Sequence, residues 1–366
     1  MDDIALVCDS IINRDLATQM VEGLSDHFRE AEIWALAHRQ GALLGPLELH
    51  KIHSSFLSHK IKDRDDFGKY SFLVPKACES MFVPCKFKRV INITSGLSMG
   101  IKTCDKAHRL TYIMDDFFGE RPHKRLLERF FSSYVSSWQR TVLKKAAGMG
   151  EIWVSRSDLK EELREFGVES TVVEPFFNVT DYPLIPSPLY KYDYVIINAV
   201  GMSERLATEL REYLENKQLK YKFVGEDSHL QALKRAEADS SFFGDRCSGE
   251  LAPLLAGAML VIDFSDEPFP EFALKALAVG RPIVARPSIS RSSFLRGAEG
   301  VKWGNSFEDI RSEISHRQLV DGKNEHIEMS RKRRAHVMRF HNIRFKAEIT
   351  RWLNKTQSSE IGQAQI

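Results

Sequence analysis

The sequence predicts an α/β protein made of two Rossmann-like domains in series, facing a cleft. Three observations carry this. Short apolar runs alternate with helical periodicity along most of the 366 residues, strand–loop–helix openings recur at Ile4 and Tyr194, and a stretch containing Pro183, Pro186 and Pro188 separates the two halves. Alternation of this kind favours parallel sheets covered by helices on both faces, and such sheets bind ligands in loops at their strand ends.

In the first half, Ile4 to Cys8 is an apolar run ending at Asp9 and Ser10, and Leu16, Met20, Val21 and Leu24 then form one helical stripe. Glu32–Leu36, Val90–Ile93, Leu110–Met114, Ile152–Val154 and Thr171–Val173 read as further strands. Leu126–Lys145 reads as one long helix, whose apolar and aromatic residues pack into a core. Ser157–Phe166 reads as another, with Ser157 as its N-cap, Glu161 and Glu162 near its start and Gly167 at its stop. Pro, Thr and Asp after Val173 place a linker at 181–191, so the first domain spans 1–180.

The second half, 192–330, reads as six strand runs: Tyr194–Val200, Tyr221–Val224, Ser241–Phe243, Met259–Phe264, Pro282–Ala285 and Val301–Trp303. Leu206, Leu210 and Leu214 mark one helix, and Glu308–Ile314 a short second one. The central stretch is Phe264 to Arg286: strand, acidic turn with Asp266 and Glu267, helix from Pro270 to Val279, stop at Gly280, strand. Ile327–Leu353 reads as a final helix with a stripe at Met338, Phe345, Ile349 and Trp352, and residues after Lys355 as a polar, disordered tail.

An apolar fraction of 43 % supports real cores, and the formal charge of +2 conceals a local basic stretch, Arg331–Lys346, with seven Lys/Arg and no acid. Five widely spaced cysteines without a Cys-x-x-Cys pair suggest neither a disulfide framework nor a zinc site, and point to a reducing cytosol. The N-terminus opens on a strand pattern without a basic leader, and no segment has the ~20 apolar residues a membrane span needs, so membrane contact is expected to be peripheral. The aromatics interleaved in the basic stretch admit phosphate-backbone contacts, but its place as the closing helix argues for structure, and no nucleic-acid partner is expected. That face, or Lys51–Lys88 with Phe56, Phe67, Tyr70 and Phe72, either contacts anionic lipid or packs as core and rim.

Taken together, these segments resemble the GT-B glycosyltransferases of family 4, and within them the mannosyltransferase-like branch that builds bacterial O-antigen and capsule sugars. The resemblance spans nearly the whole chain. IALVCDSI, AEIWALAH, IHSSFL and KYSFLVPKACESM look like that branch's opening strands and aromatic-proline loop. Phe223-Val-Gly-Glu, Phe243-Gly-Asp, Leu260-Val-Ile-Asp-Phe-Ser and Ala278-Val-Gly-Arg-Pro-Ile-Val-Ala keep the family's order. KRRAHVMRFHNIRFKAEITRWL is similar to its closing helix, which implies a crossover helix at 331–354 returning to the N-terminal domain. The resemblance makes the first domain the acceptor side and the second the nucleotide-sugar side. The implied donor is a nucleotide diphosphate sugar, with no further cofactor or metal, and the implied acceptor a glycan or polyprenyl-linked glycan.

The site residues implied by the resemblance depart from the family pattern at several places. The loop after the first strand, which in the family is glycine-rich for close approach to a diphosphate, is here Ile12-Asn-Arg-Asp-Leu-Ala-Thr, leaving Arg14 either as a ligand cation or as a surface charge. The family's Arg/Lys pair that neutralises the leaving diphosphate aligns with Gly201-Met-Ser-Glu-Arg, so Arg205 remains and Glu204 beside it opposes phosphate. Of two glutamates eight residues apart, Glu267 matches the one near the transferred sugar, whereas the ribose-binding one falls on Lys275. An ammonium donates hydrogen bonds and cannot accept them from ribose hydroxyls, and a salt bridge to Glu271 is its expected fate.

Gly225 and Glu226 match the loop after the second domain's second strand, and Ser290 lies in the polar stretch that replaces a glycine pair, suited to capping a helix or accepting an anion. Asp115 and Asp116 stand where the branch has a His-Thr-Pro run, either as base or acceptor-orienting carboxylates or as a helix cap. Two functions follow: a retaining hexosyltransferase of surface polysaccharide synthesis, cytoplasmic at the inner face of the cell membrane, or a catalytically inactive pseudo-glycosyltransferase that binds or scaffolds a protein partner.

Overall fold

A computed structural model describes residues 3–13, 15–41, 45–62, 66–114, 126–185, 194–225, 227–233, 241–244, 246–319 and 323–363. They fall into two compact units, one within Met1–Phe177 and Asn342–Ile366, the other within Asn178–His341.

The first unit contains β1 (Ile4–Ile11), β2 (Glu32–His38), β3 (Ile52–Ser54), β4 (Phe82–Val83), β5 (Arg89–Thr94), β6 (Lys102–Thr103), β7 (His108–Ile113), β8 (Gly150–Val154) and β9 (Thr171–Val172). Seven of them form a sheet in the order β3-β2-β1-β5-β7-β8-β9, with every pair parallel. Its central strands are buried on both faces, which is why their apolar residues read as runs rather than as an alternation. One face is packed with Met20, Val21 and Leu24 of the helix Leu16–Ser25, the other with Val74, Ala77 and Cys78. Asp15 caps that first helix by accepting from the Thr18 N–H at 2.8 Å.

Where the strand order reverses, between β1 and β5, Asp9 pins the two strand ends together. It accepts from Thr94 Oγ1 at 2.6 Å, Ser95 N at 2.7 Å and Ser98 N at 2.7 Å.

The second unit contains β10 (Tyr194–Asn198), β11 (Lys220–Val224), β12 (Leu260–Asp263), β13 (Ile283–Ala285) and β14 (Val301–Trp303). They form a parallel sheet ordered β11-β10-β12-β13-β14. The Ser241–Phe243 run expected as a sixth strand contributes only a bridge between Phe223 and Phe242, whose rings stack at 4.9 Å. Backbone bonds from Phe223 N to the Ser241 carbonyl at 2.8 Å and from Phe243 N to the Phe223 carbonyl at 2.9 Å hold it there together with that stacking.

The chain then returns to the first unit through the helix Asn342–Gln363, whose Phe345, Ile349, Trp352 and Leu353 complete that core. Phe345 meets Tyr112 at 5.2 Å and Phe176 at 5.3 Å.

Several local expectations are corrected. The single helix over Ile327–Leu353 is two helices, Lys323–Val337 and Asn342–Gln363, separated by a 3-10 turn and an extended His341. Val337 and Phe340 are buried there while Met338 is exposed, so the turn exists to seat Phe340 and Met338 leaves the stripe. The second helix also continues past Lys355 to Gln363 instead of ending in a disordered tail. Ser157 is the first helical residue and not the cap, a position held by Arg156, whose side chain caps no helix N–H and instead pairs with Asp158 at 2.8 Å.

Cys85 and Cys104 are joined as a disulfide with Cα atoms 5.0 Å apart, against the expectation of none. The two loops entering β5 and β7 bring together residues that spacing alone could not pair. The basic stretch is not one solvent face either. Arg333 is buried and donates to the Gly280 carbonyl at 2.9 Å, Arg334 donates to the carbonyls of Tyr182 and Ala278, and the His336 ring bonds the Phe294 carbonyl at 2.8 Å. Among the described residues no helix is long and apolar enough to cross a membrane, and none of the His, Cys, Asp and Glu residues cluster as metal ligands.

Candidate donor site at the second sheet

The second sheet changes direction of strand order between β10 and β12, the point at which an open parallel sheet leaves a crevice at its carboxyl ends. Two loops leave there, Ala199–Ser203 after β10 and Phe264–Pro270 after β12. Gly201 lies in the first with φ of +73°, and a Cβ on it would stand 2.4 Å from the Phe264 carbonyl oxygen. Both the left-handed backbone and the contact demand glycine. The expected position of Gly201 is therefore a crossing of loops, where backbone rather than side chain forms the surface.

Beneath these loops is a buried polar assembly that sequence reading passed over. Asp263 and Arg291 are both 0 % exposed and paired at 2.5 Å. Asn198 Nδ2 donates to the other Asp263 oxygen at 2.9 Å, and its own Oδ1 accepts from Val200 N at 3.1 Å. Arg291 also donates to the Ser265 hydroxyl at 2.9 Å and to the Ser265 carbonyl. A charge removed from water is tolerated only when paired and hydrogen-bonded, so these residues tie the ends of β10 and β12 to the helix Ile289–Leu295. Ser288 caps that helix by accepting from Arg291 N at 3.1 Å. The signal was present as charged or amide residues inside otherwise apolar runs, which are rarely buried without partners.

Glu267 is exposed on the loop after β12, and Phe269 further along that loop is fixed between Phe294 at 5.1 Å and Phe340 at 5.9 Å. Arg205 is exposed in the first turn of the helix Glu204–Asn216, which Ser203 caps, and it pairs with Glu209 at 2.9 Å. That carboxylate raises the pKa of Arg205. Gly225 follows β11 with φ of +153°, packed on Ala199 of the β10 loop. Ser290 is half-buried in the helix after β13, and its carbonyl accepts from the Ser293 hydroxyl at 2.7 Å.

Lys275 is turned to Glu271, at 2.7 Å, as expected for an i, i+4 pair, and also lies 5.6 Å from the Tyr182 ring centre. Burial works against the ammonium, but the Glu271 carboxylate and Tyr182 outweigh it and hold the lysine above its ordinary pKa. Burial raises the Tyr182 hydroxyl in turn.

Arg286, which sequence reading did not single out, donates from its guanidinium to the Gly201 carbonyl at 3.2 Å and lies 5.6 Å over the Phe264 ring. It is a half-buried cation beside the loop that lacks the expected basic residue. Arg14, Asp115, Asp116 and Glu226 lie outside the described residues. The structure thus brings Gly201, Arg205, Gly225, Glu267 and Ser290 onto loops and helix starts at the strand ends of one sheet, and gives Lys275 to a helix-surface pair.

No protein-family model matches the sequence, and no curated protein sequence matches it. Solved structures do. Anabaena HepE in complex with UDP and glucose superposes with a TM-score of 0.66 at 13 % identity, covering 96 % of this chain and 99 % of that one. A sucrose-phosphate synthase from Thermosynechococcus elongatus gives 0.68 at 12 % identity over 97 % and 99 %. A glycosyltransferase from Rickettsia africae gives 0.62 at 14 % over 95 % and 97 %. At such identities the likeness speaks to architecture, and with two parallel-sheet units and a returning C-terminal helix the chain has the GT-B glycosyltransferase fold.

Proposed function

We propose that the protein is a retaining glycosyltransferase of the family 4 type, near its mannosyltransferase-like branch. It takes a hexosyl group from a nucleotide diphosphate sugar and passes it to a glycan or polyprenyl-linked acceptor in surface polysaccharide synthesis, at the inner face of the cell membrane. The observation that carries this reading is the crossing of Gly201 against Phe264 over the buried Asn198–Asp263–Arg291 assembly. It fixes two backbone loops at a sheet switch point, a place suited to a diphosphate.

In the proposed reaction the bond between the anomeric carbon and the diphosphate oxygen breaks, and the acceptor hydroxyl oxygen bonds that carbon on the same face. The proton leaves with the nucleoside diphosphate. Charge builds on the leaving diphosphate, so cations placed there lower the barrier. Arg205 and Arg286 take that role, with Arg286 replacing the basic residue missing from the Gly201 loop. Glu267 faces the transferred sugar, while Gly225, Glu226 and Ser290 border the nucleotide. On the acceptor side the reading keeps Asp115 and Asp116 as base or orienting carboxylates and Arg14 as a further cation.

The second reading, an inactive binding member of the fold, is favoured by Lys275. Its ammonium is satisfied by Glu271 and Tyr182 and offers ribose hydroxyls no acceptor. Calorimetry with a panel of nucleoside diphosphates and nucleotide sugars, followed by donor-hydrolysis assays, separates the two. Saturable binding of one nucleotide, lost in Glu267→Ala or Arg205→Ala, together with turnover, supports the transferase. Absence of binding and hydrolysis across the panel overturns it.

A further inference from the structure

The first unit carries a pocket of ≈ 560 Å³ at the opposite end of its sheet from the strand carboxyl ends, where the chain enters β5, β7 and β8. Its floor is apolar: Trp138, Val142 and Ala146 of the helix Leu126–Met149 face Met99 and Ile101. Phe82, 52 % exposed, also lines it, and the disulfide Cys85–Cys104 is part of its wall. The volume falls in the range of small-molecule sites, which combine an apolar lining with a few converging polar groups.

Two such groups are present. Arg109, 3 % exposed, lines the pocket and donates to the carbonyls of Met99 at 2.8 Å and Ile101 at 3.3 Å, yet its Nε has no partner and no carboxylate among the described residues hydrogen-bonds it. Thr103, 7 % exposed, also lines the pocket, and its hydroxyl has no partner. Burial lowers the Arg109 pKa to about 10. A buried guanidinium without a counter-charge is costly, and orphaned buried polar atoms call for a partner. Around the opening, exposed Lys102, Lys106 and Lys145 outnumber Glu79 and Asp105.

We propose that this pocket is a binding site for a small apolar carboxylate, such as a medium-chain acyl or aryl acid. The chain or ring lies on Trp138 and Val142, and the carboxylate is held by Arg109 and Thr103. Nothing in this depends on the donor site, which belongs to the other unit.

The test is calorimetry and tryptophan fluorescence on the full chain with octanoate, octanol and octylammonium, three probes of one tail and different heads. The expected result is saturable one-to-one binding of octanoate, at least about tenfold tighter than octylammonium, as a charge-assisted contact to arginine requires. The accompanying fluorescence change disappears in Trp138→Phe. Arg109→Met removes the charge while keeping length, and should weaken octanoate about tenfold or more while leaving octanol unchanged. Where that variant does not fold, Lys102→Glu combined with Lys145→Glu, both at exposed positions, should shift the preference in the same direction. Equal affinity for octanoate and octylammonium, no saturable binding at millimolar octanoate, or charge variants without effect would overturn the proposal.

Discussion

Replacing Asp263 by alanine isolates Arg291 in a place where neither residue touches water. Removing one member of a buried pair costs about 3–5 kcal/mol, because the remaining charge is left uncompensated. Asn198 Nδ2 and Ser265 N lose their acceptor in the same step. For a unit of this size each kcal/mol lowers the melting temperature by roughly 2–4 °C, so a fall of roughly 6–20 °C is expected.

The readout is urea unfolding followed by tryptophan fluorescence. Trp303 is the one tryptophan of the second unit, and a Trp303→Phe background identifies its signal. The partner experiment replaces both charges, Asp263→Leu with Arg291→Met, which should recover most of the stability since an apolar pair of similar volume is often as good or better. Yet Ser265 then loses the guanidinium that fixes its carbonyl and hydroxyl, so the nucleotide binding proposed for this site should weaken while the unit stays folded. A cost below about 1 kcal/mol for Asp263→Ala would refute the idea that the pair is buried and uncompensated when broken. So would a double variant no more stable than the single one.

Three further outcomes follow from the geometry. Gly201→Ala combines a left-handed backbone, which costs about 1–2 kcal/mol for a residue with a Cβ, with a collision against the Phe264 carbonyl; chemical denaturation should show at least that loss, and calorimetry a loss of the proposed nucleotide binding. Partial burial would raise the Glu32 carboxyl, but Lys86 at 2.5 Å and His53 at 2.7 Å hold it at about 2, below the ordinary 4.5. Its contribution is thus complete above pH 4.5 and is lost as pH falls toward about 2, so Glu32→Gln should flatten the acid limb of the stability–pH curve in that window. Reducing Cys85–Cys104, which are 19 residues apart, should destabilise the first unit by about 3 kcal/mol in the chain-entropy account, and Cys104→Ser should match the reduced protein in unfolding curves.

The strands and helices were largely legible because their signals are local. Apolar runs such as Ile4–Cys8 and Ile283–Ala285 have no polar residue to offer a solvent face, which suits strands buried on both sides. The Glu271–Lys275 pair was legible for the same reason, since helix geometry alone sets its distance. The break at Met338–His341 was not, because that stretch reads as helical along its length. What interrupts it is the seat of Phe340 among Phe269 and Phe294, far away in sequence. Ser241–Phe243 likewise has strand composition but pairs with β11 only around Phe223, through a bridge and the stacked Phe242 ring.

The two-sheet architecture, the loop of Glu267 and the glycine at position 201 were all readable from residue order, since periodicity, turn residues and spacing act over a few neighbours. Which charges remain available was set by the folded chain. It enclosed Arg291 with Asp263, Arg333 and Arg334 against carbonyls, and Arg109 beside an apolar pocket, and it set Arg286 next to Gly201. The reason is physical: the free energy of a charge depends on the water it loses and the partners it meets, and both are set by residues distant along the chain.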